Sequence, residues 1–155
     1  MNPIRIFFDT KVLVYAHDQS SVHHTDSAIL LSKVFESKIQ GILAEQNIIE
    51  LYRILTNPTA MIGKSLVPNQ ARDLLNFTYL SGTFEIHYPS LSTIDKTLNL
   101  AVKNAIRSAK VFDIRIAVIA QDAKVDHLAT YNIKDYKNID NLSPMTPTQL
   151  LPQIC

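Results

Sequence analysis

Residues 4–9 read Ile4-Arg5-Ile6-Phe7-Phe8-Asp9, an apolar run that ends in a carboxylate. A short run of this kind is typical of a strand buried on both faces of a sheet, so we predict a strand at Ile4–Phe8. Further strand-like segments follow at 41–44, 84–87 and 127–130, separated by helical patterns at 25–37, 46–55, 68–80 and 113–121. This alternation predicts an α/β domain built on a parallel sheet. Ligands of such sheets bind at the carboxyl ends of the strands, which is where Asp9 stands.

The composition agrees with one globular domain spanning residues 1–155. Hydrophobic residues make up 46% of the chain and charged residues 19%, which is too apolar for a disordered protein. Lys and Arg total 15 and Asp and Glu total 14, so the net charge of +1 excludes a strongly basic nucleic-acid coat but permits a local basic patch. No apolar run approaches the roughly 18 residues that cross a bilayer. The single cysteine, Cys155, cannot form an internal disulfide, and we expect a cytoplasmic protein.

Acidic residues follow two of the predicted strands and occupy two of the predicted helices. Asp9 directly follows the first strand, and Asn132 and Asp135 follow the strand at 127–130. Asp113 begins the most apolar helix, where the helix dipole favours a carboxylate, and Glu50 lies on the polar face of its helix. Carboxylate and amide oxygens are the ligands that Mg²⁺ and Mn²⁺ prefer. Two such ions can activate water for phosphodiester cleavage.

Each acid also has a purely structural interpretation. Asp9 and Asp135 suit turns, Asp113 suits a helix N-cap, and Glu50 suits an ion pair with Arg53 three residues later. Taken singly, these interpretations are as good as the functional one. A functional site is favoured because two strand ends deliver acidic or amide oxygens to one edge of the sheet.

Four blocks of the sequence resemble those of the PIN-domain ribonucleases, in the same order. The family's opening usually reads D-T-N-x-L-x-Y-A, and the corresponding stretch here is Phe8-Asp9-Thr10-Lys11-Val12-Leu13-Val14-Tyr15-Ala16. The second block contains Glu50, and the third begins at Phe112-Asp113. The fourth, T-x-N/D-x-x-D-F in the family, corresponds to Thr130-Tyr131-Asn132-Ile133-Lys134-Asp135-Tyr136.

The resemblance implies a PIN-like three-layer α/β/α fold with a central parallel sheet flanked by helices. It implies cleavage of single-stranded RNA with Mg²⁺ or Mn²⁺, with Asp9, Glu50, Asp113 and Asp135 as metal ligands and Asn132 as a metal or water contact. Many small members are VapC-like toxins of toxin–antitoxin pairs, and they are usually dimeric and inhibited by a small antitoxin. We therefore expect an RNA substrate, a homodimer and an antitoxin partner.

One position departs from the family pattern. Lys11 stands where the family commonly has Asn, two residues from Asp9. A cation there either repels a metal ion, contacts the scissile phosphate or points away from the site. The alternative to a ribonuclease is thus a catalytically weak or inactive PIN-like module that binds RNA or a protein partner.

Other phosphate chemistries fit the sequence less well. Gly41, Gly63 and Gly82 are too far apart to form a phosphate-cradling glycine loop. A receiver domain or a haloacid-dehalogenase-like phosphatase would need a second acid near Asp9, where Thr10 and Lys11 stand.

Several further residues are candidates for RNA contacts. Lys103, Arg107 and Lys110 would form one basic stripe if their stretch is helical, and Thr130 belongs to the fourth block. The alternative for the three cations is an ordinary solvated surface. Tyr15, Tyr131 and Tyr136 would either stack on bases or pack in the core.

Two further features concern packing. Arg115 lies within an apolar segment and needs an acidic partner if it is buried. Leu91, Ile94, Leu98 and Ala101 recur at helical spacing and predict one more helix with an apolar stripe.

Overall fold

The computed structural model describes residues 2–154, and it contains a central sheet of parallel strands. The five strands lie in the order β3-β2-β1-β4-β5, and each neighbouring pair is parallel. Their bounds are β1 Ile4–Phe8, β2 Ile39–Ala44, β3 Glu85–His87, β4 His127–Ala129 and β5 Pro144–Met145. The predicted α/β class with a central parallel sheet flanked by helices is confirmed.

Helices connect the strands and cover both faces of the sheet. Their bounds are α1 Thr10–His17, α2 His24–Phe35, α3 Glu45–Leu55, α4 Pro68–Thr78, α5 Leu91–Lys103, α6 Val111–Asp122, α7 Ile133–Tyr136 and α8 Pro147–Leu150. Single 3₁₀ turns lie at Ser108–Lys110 and Leu151–Gln153. No helix within residues 2–154 is long and apolar enough to cross a membrane.

The chain direction through the sheet creates a cleft beside β1. From β1 the chain adds β2 and β3 on one side, and then returns to add β4 and β5 on the other. The strand order therefore reverses between β1 and β4, and the helices that leave these two strands diverge at their carboxyl ends. The backbone N–H of Asp9 donates to the carbonyl of Ala129 at 2.9 Å and holds the two strand ends together.

Alternate residues of β1 pack on opposite faces of the sheet, as the strand period requires. Ile6 and Phe8 join an apolar cluster with helices α1, α2 and α3, while Phe7 joins a second cluster with Ile42, Leu128 and one side of α6. Residues of α6 are buried almost all round, as the apolar segment predicts. The two clusters on either side of the sheet give the three-layer α/β/α architecture.

One sequence expectation is confirmed and one is wrong between residues 91 and 110. The predicted helix with an apolar stripe is α5, and most of that stripe is exposed: Leu91 is 92% exposed, Ile94 62% and Leu98 55%. The proposed basic stripe is wrong as a single helical face, because α5 ends at Lys103 and the next helical turn is short. Ala105 and Ser108 have positive φ angles of 51° and 55°, which an α-helix cannot accommodate.

Candidate active site

Four carboxylates from four different elements lie around the carboxyl end of β1. Asp9 follows β1 and begins α1, Glu50 lies in the middle of α3, Asp113 lies in the first turn of α6, and Asp135 lies in α7. Glu50 and Asp113 act electrostatically on Asp9, and Glu50 and Asp135 act on Asp113. Residues that are up to 126 positions apart in sequence thus form one acidic site.

Asp9 is the buried centre of this group, with only 6% of its surface exposed. Its Oδ1 accepts from the backbone N–H of Thr10 at 2.9 Å, and its Oδ2 accepts from the Thr130 hydroxyl at 2.8 Å. Burial and, to a lesser extent, the charges of Asp113 and Glu50 outweigh the two hydrogen bonds, and together these effects raise the pKa of Asp9 to about 6. The carboxylate is therefore oriented on both oxygens and poorly solvated.

A chain of hydrogen bonds positions Glu50. The Thr10 hydroxyl donates to Glu50 Oε1 at 3.0 Å and accepts from Asn47 Nδ2 at 3.0 Å. Asn47 is fully buried, and its Oδ1 accepts from the Ala44 backbone N–H at 2.8 Å. Within residues 2–154 Glu50 forms no ion pair with Arg53, so the interpretation of Glu50 as the ion-pair partner of Arg53 is wrong.

Asp113, Asp135 and Asn132 form the more open side of the site. Asp113 is the third residue of α6 and not its N-cap, and burial followed by repulsion from Asp135 and Glu50 raises its pKa. Asp135 is exposed on α7. Asn132 precedes α7, its backbone N–H donates to the Thr130 hydroxyl at 3.0 Å, and its side chain is exposed.

The Tyr136 hydroxyl lies beneath the acids. Tyr136 is 1% exposed, which excludes base stacking by this ring, and its hydroxyl has no hydrogen-bond partner among the described residues. Burial raises the pKa of Tyr136, and the negative charges of Asp9, Asp113, Asp135 and Glu50 raise it further. An orphaned hydroxyl at this depth fits a site that holds a water molecule next to the carboxylates.

Tyr15 and Tyr131 form an aromatic cluster with His23. The Tyr131 ring stacks on His23 with centroids 4.2 Å apart and meets Tyr15 edge-on at 5.4 Å. The Tyr131 hydroxyl is 2.6 Å from Ser27 Oγ. These contacts give Tyr15 and Tyr131 a packing role on the α2 side of the sheet.

The candidate RNA contacts are spread over different places. Thr130 is buried and holds Asp9, so it positions a site residue. Lys110 lines a cavity of about 150 Å³ together with Asp113 and Asp135. Lys103 and Arg107 are exposed and do not line that cavity.

The chemistry of the four carboxylates suits a hard divalent cation. The four carboxylates supply only oxygen, and their mutual repulsion is what a bound cation would relieve. As placed, however, no three acidic, histidine or cysteine side chains of residues 2–154 are gathered closely enough to form a preassembled metal site. Asp9 is fixed by its two hydrogen bonds, so binding a cation requires the more exposed acids to turn toward it.

Lys11 and Arg115 occupy different environments. Lys11 is exposed in the first turn of α1, forms no ion pair with any described residue, and is not among the groups that chiefly set the pKa of Asp9.

Arg115 packs between α6 and α3, where it donates to Glu45 Oε1 at 2.8 Å and to the Gln46 side chain. The expected acidic partner of Arg115 is therefore Glu45, and this pair ties α6 to the start of α3.

Sequence reasoning missed two residues that position the acids, Thr10 and Asn47. Thr10 adjoins Asp9, and Asn47 lies three positions before Glu50 on the same helix face, so sequence signals existed for both. Of the two roles considered for Tyr136, the structure supports packing in the core, and only the fold shows that its buried hydroxyl lies next to the acids.

Comparison with known proteins gives structural matches only. No protein-family model and no curated protein matches the sequence. Among solved structures, the VapBC2 complex of Rickettsia felis bound to promoter DNA matches with a TM-score of 0.63 and 21% identity over 92% of this chain and 98% of that chain. The VapBC-1 structure from nontypeable Haemophilus influenzae matches with a TM-score of 0.64 and 15% identity, and the match covers 94% of this chain and 99% of that chain.

A third match is VapC20 of Mycobacterium tuberculosis, described as a toxin that cleaves the sarcin–ricin loop. Its TM-score is 0.64, with 10% identity over 85% of this chain and 93% of that chain. At these identities the likeness concerns the backbone, and it covers nearly the full length of each matched chain. The chain therefore has the VapC-like PIN-domain fold.

Proposed function

We propose that this protein is a metal-dependent endoribonuclease that cleaves single-stranded RNA and acts in the cytoplasm as the toxin of a toxin–antitoxin pair. The observation that carries the proposal is the group of four carboxylates, Asp9, Glu50, Asp113 and Asp135, at the carboxyl end of β1. Its place beside the reversal of strand order is where α/β folds bind ligands. The fold of VapC toxins, one of which is described as cleaving the sarcin–ricin loop, supports the same conclusion.

The four carboxylates would hold Mg²⁺ or Mn²⁺, since both ions prefer oxygen ligands. When bound, such a cation lowers the pKa of water and offsets the charge that develops on a phosphodiester. Thr130 and Thr10 keep the Asp9 carboxylate in one orientation, and Asn47 does the same for Glu50 through the Thr10 hydroxyl. We propose that the exposed Asn132 amide contacts the phosphate or a water molecule at the open side of the site.

The proposal is tested by cleavage of a mixed-sequence single-stranded RNA in Mg²⁺ and in Mn²⁺. We expect product from the wild type, and none from Asp9→Asn or in EDTA. The matched control is Asp95→Asn, which removes an exposed carboxylate on α5 and should cleave at the wild-type rate. Full cleavage by a folded Asp9→Asn variant would overturn the assignment of the site.

The second candidate is an inactive PIN-like module that binds RNA or a protein partner. Two observations favour it: Lys11 replaces the usual Asn, and the described acids are not gathered into a preassembled metal site. This module would bind RNA equally well with and without EDTA and give no product. Restoration of cleavage by Lys11→Asn would then identify Lys11 as the residue that abolishes activity, whereas metal-dependent product from the wild type excludes this candidate.

We further propose that the protein forms a homodimer through the exposed face of α5. Leu91, Ile94, Leu98 and Val102 lie along one side of this helix, and Val102 is 82% exposed. An antiparallel pair of such helices would set Ile94 against Leu98 of the second copy and cover the stripe. Light scattering during gel filtration should give twice the chain mass for the wild type and a single chain mass for Leu98→Glu. A monomeric wild type would refute the dimer.

We propose a small antitoxin as the protein partner. Support comes from the structural neighbours solved as VapBC complexes and from an apolar groove of about 410 Å³ between α3 and α4. Exposed Ile49, Tyr52 and Leu80 line that groove. Co-expression with the product of any small adjacent gene should give a stable complex that does not cleave RNA, and Ile49→Glu should weaken the complex. An adjacent product that neither binds nor inhibits would contradict the proposal.

A further inference from the structure

A cavity of about 150 Å³ lies beside the acids, between the start of α6 and helix α7, and its lining combines polar side chains with three isoleucines. Asp113 and Asp135 line it on the side of the proposed metal site, and Lys110 and Lys134 line it as well. Both lysines are exposed, and neither forms an ion pair with an acid of residues 2–154. Two ammonium groups thus adjoin the acidic site and remain available to a ligand.

We propose that this cavity binds the phosphate adjacent to the scissile bond of the RNA, with Lys110 and Lys134 as the cations that hold it. The inference rests on the proposed ribonuclease function and specifies how that site captures its substrate. The four carboxylates repel a polyanion, and lysine ammonium groups that line a cavity with two of them offset part of that repulsion. The cavity brings together two of the acids and two lysines that form no ion pair among the described residues.

The lining of the cavity indicates which part of the nucleotide it takes. Its volume is below the range of about 300–1,000 Å³ typical of pockets that enclose a whole small molecule, which favours a ribose–phosphate unit. No aromatic side chain lines it, so base stacking is not available there. The amide of Asn138 lines the cavity and forms no side-chain hydrogen bond with a described residue, so it can bond to a ribose hydroxyl. Binding at this position is therefore independent of base identity.

The test measures binding separately from cleavage. A labelled single-stranded RNA is titrated in EDTA by fluorescence anisotropy at several salt concentrations. For Lys110→Gln/Lys134→Gln we expect affinity at 0.1 M salt to fall roughly tenfold or more, and the slope of log K against log salt to shrink by about 0.7 per lysine. Replacement of both lysines by Arg should retain most of the affinity, because the charge is conserved.

The matched control is Lys38→Gln/Lys124→Gln, which removes two exposed lysines next to the amino ends of β2 and β4. An equal loss of affinity in both double variants would assign the effect to overall charge and overturn the proposal. Unchanged RNA affinity in Lys110→Gln/Lys134→Gln, with Asp9-dependent cleavage by the wild type, would refute this cavity while the ribonuclease function stands. Absence of both RNA binding and cleavage in the wild type would refute both the phosphate site in this cavity and the ribonuclease function.

Discussion

Asp9→Asn should stabilise the metal-free protein while it removes the proposed activity. Burial and the neighbouring carboxylates raise the pKa of Asp9 from 3.8 to about 6, so ionised Asp9 destabilises the folded state by about 3 kcal/mol above that pH. Asn is as good an N-cap as Asp and keeps the bond from the Thr10 N–H, but it loses about 0.3–1 kcal/mol of attraction to the helix dipole. Its Nδ2 cannot accept from the Thr130 hydroxyl as Asp9 Oδ2 does, and the loss of that hydrogen bond costs about 1 kcal/mol more. We expect a net gain in the free energy of unfolding of about 1–2 kcal/mol at pH 7.5.

The pH dependence has a defined sign. Between pH 3.8 and about 6 the folded state binds more protons at Asp9 than the unfolded state does, so the contribution of Asp9 to stability falls as the pH rises through this window. The advantage of Asp9→Asn should therefore be largest at pH 7.5 and shrink by about 1.4 kcal/mol at pH 5.

The assay is urea unfolding in EDTA at pH 7.5 and pH 5, supported by thermal melts. The expected gain corresponds to a rise in Tm of about 3–6 °C at pH 7.5. Asp95→Asn serves as the control and should stay within about 0.5 kcal/mol of the wild type at both pH values, since Asp95 is exposed. A variant Asp9→Asn that is less stable than the wild type at pH 7.5, or whose advantage does not change with pH, would refute the reasoning.

Two further substitutions test the packing of the sheet and the support of the site. Gly41→Ala would place a Cβ 2.5 Å from the Phe84 ring and 3.0 Å from Val34. We expect urea unfolding to show that the free energy of unfolding falls by about 1–3 kcal/mol. A neutral effect would contradict the tight approach of β2 to these side chains. Thr130→Val removes the hydroxyl that donates to Asp9 Oδ2. We expect calorimetry to show that this variant binds Mn²⁺ at least tenfold more weakly than the wild type. Thr130→Ser keeps the hydroxyl and should bind Mn²⁺ as the wild type does. Equal Mn²⁺ affinity in both Thr130 variants would show that the hydroxyl does not support the site.

The sequence was sufficient to predict the parts of the fold that depend on local patterns. The apolar run before Asp9 identified β1, and the alternation of strands and helices identified the parallel sheet. The two-residue strand Pro144–Met145 and the four-residue helix Ile133–Tyr136 were not predicted, because elements this short have no periodicity to detect. Their existence depends on pairing with β4 and on packing against the sheet.

The site shows the same division between local and tertiary information. Strand ends and family spacing placed Asp9 and Asn132 at one edge, but the hydrogen bond from Thr130 to Asp9 joins residues 121 positions apart. Likewise, helical spacing identified the apolar stripe of α5 but could not show that Leu91 and Leu98 are exposed. An apolar stripe has the same period whether it packs on its own sheet or on another molecule.

Calorimetric titration of Mn²⁺ into the metal-free protein tests most directly the claim that the acids at the end of β1 form a metal site. The wild type and Asp95→Asn should bind Mn²⁺ saturably with the same affinity, and Asp9→Asn should show no binding in the same concentration range. Equal binding by the wild type and a folded Asp9→Asn variant, or no binding by the wild type, would contradict the claim.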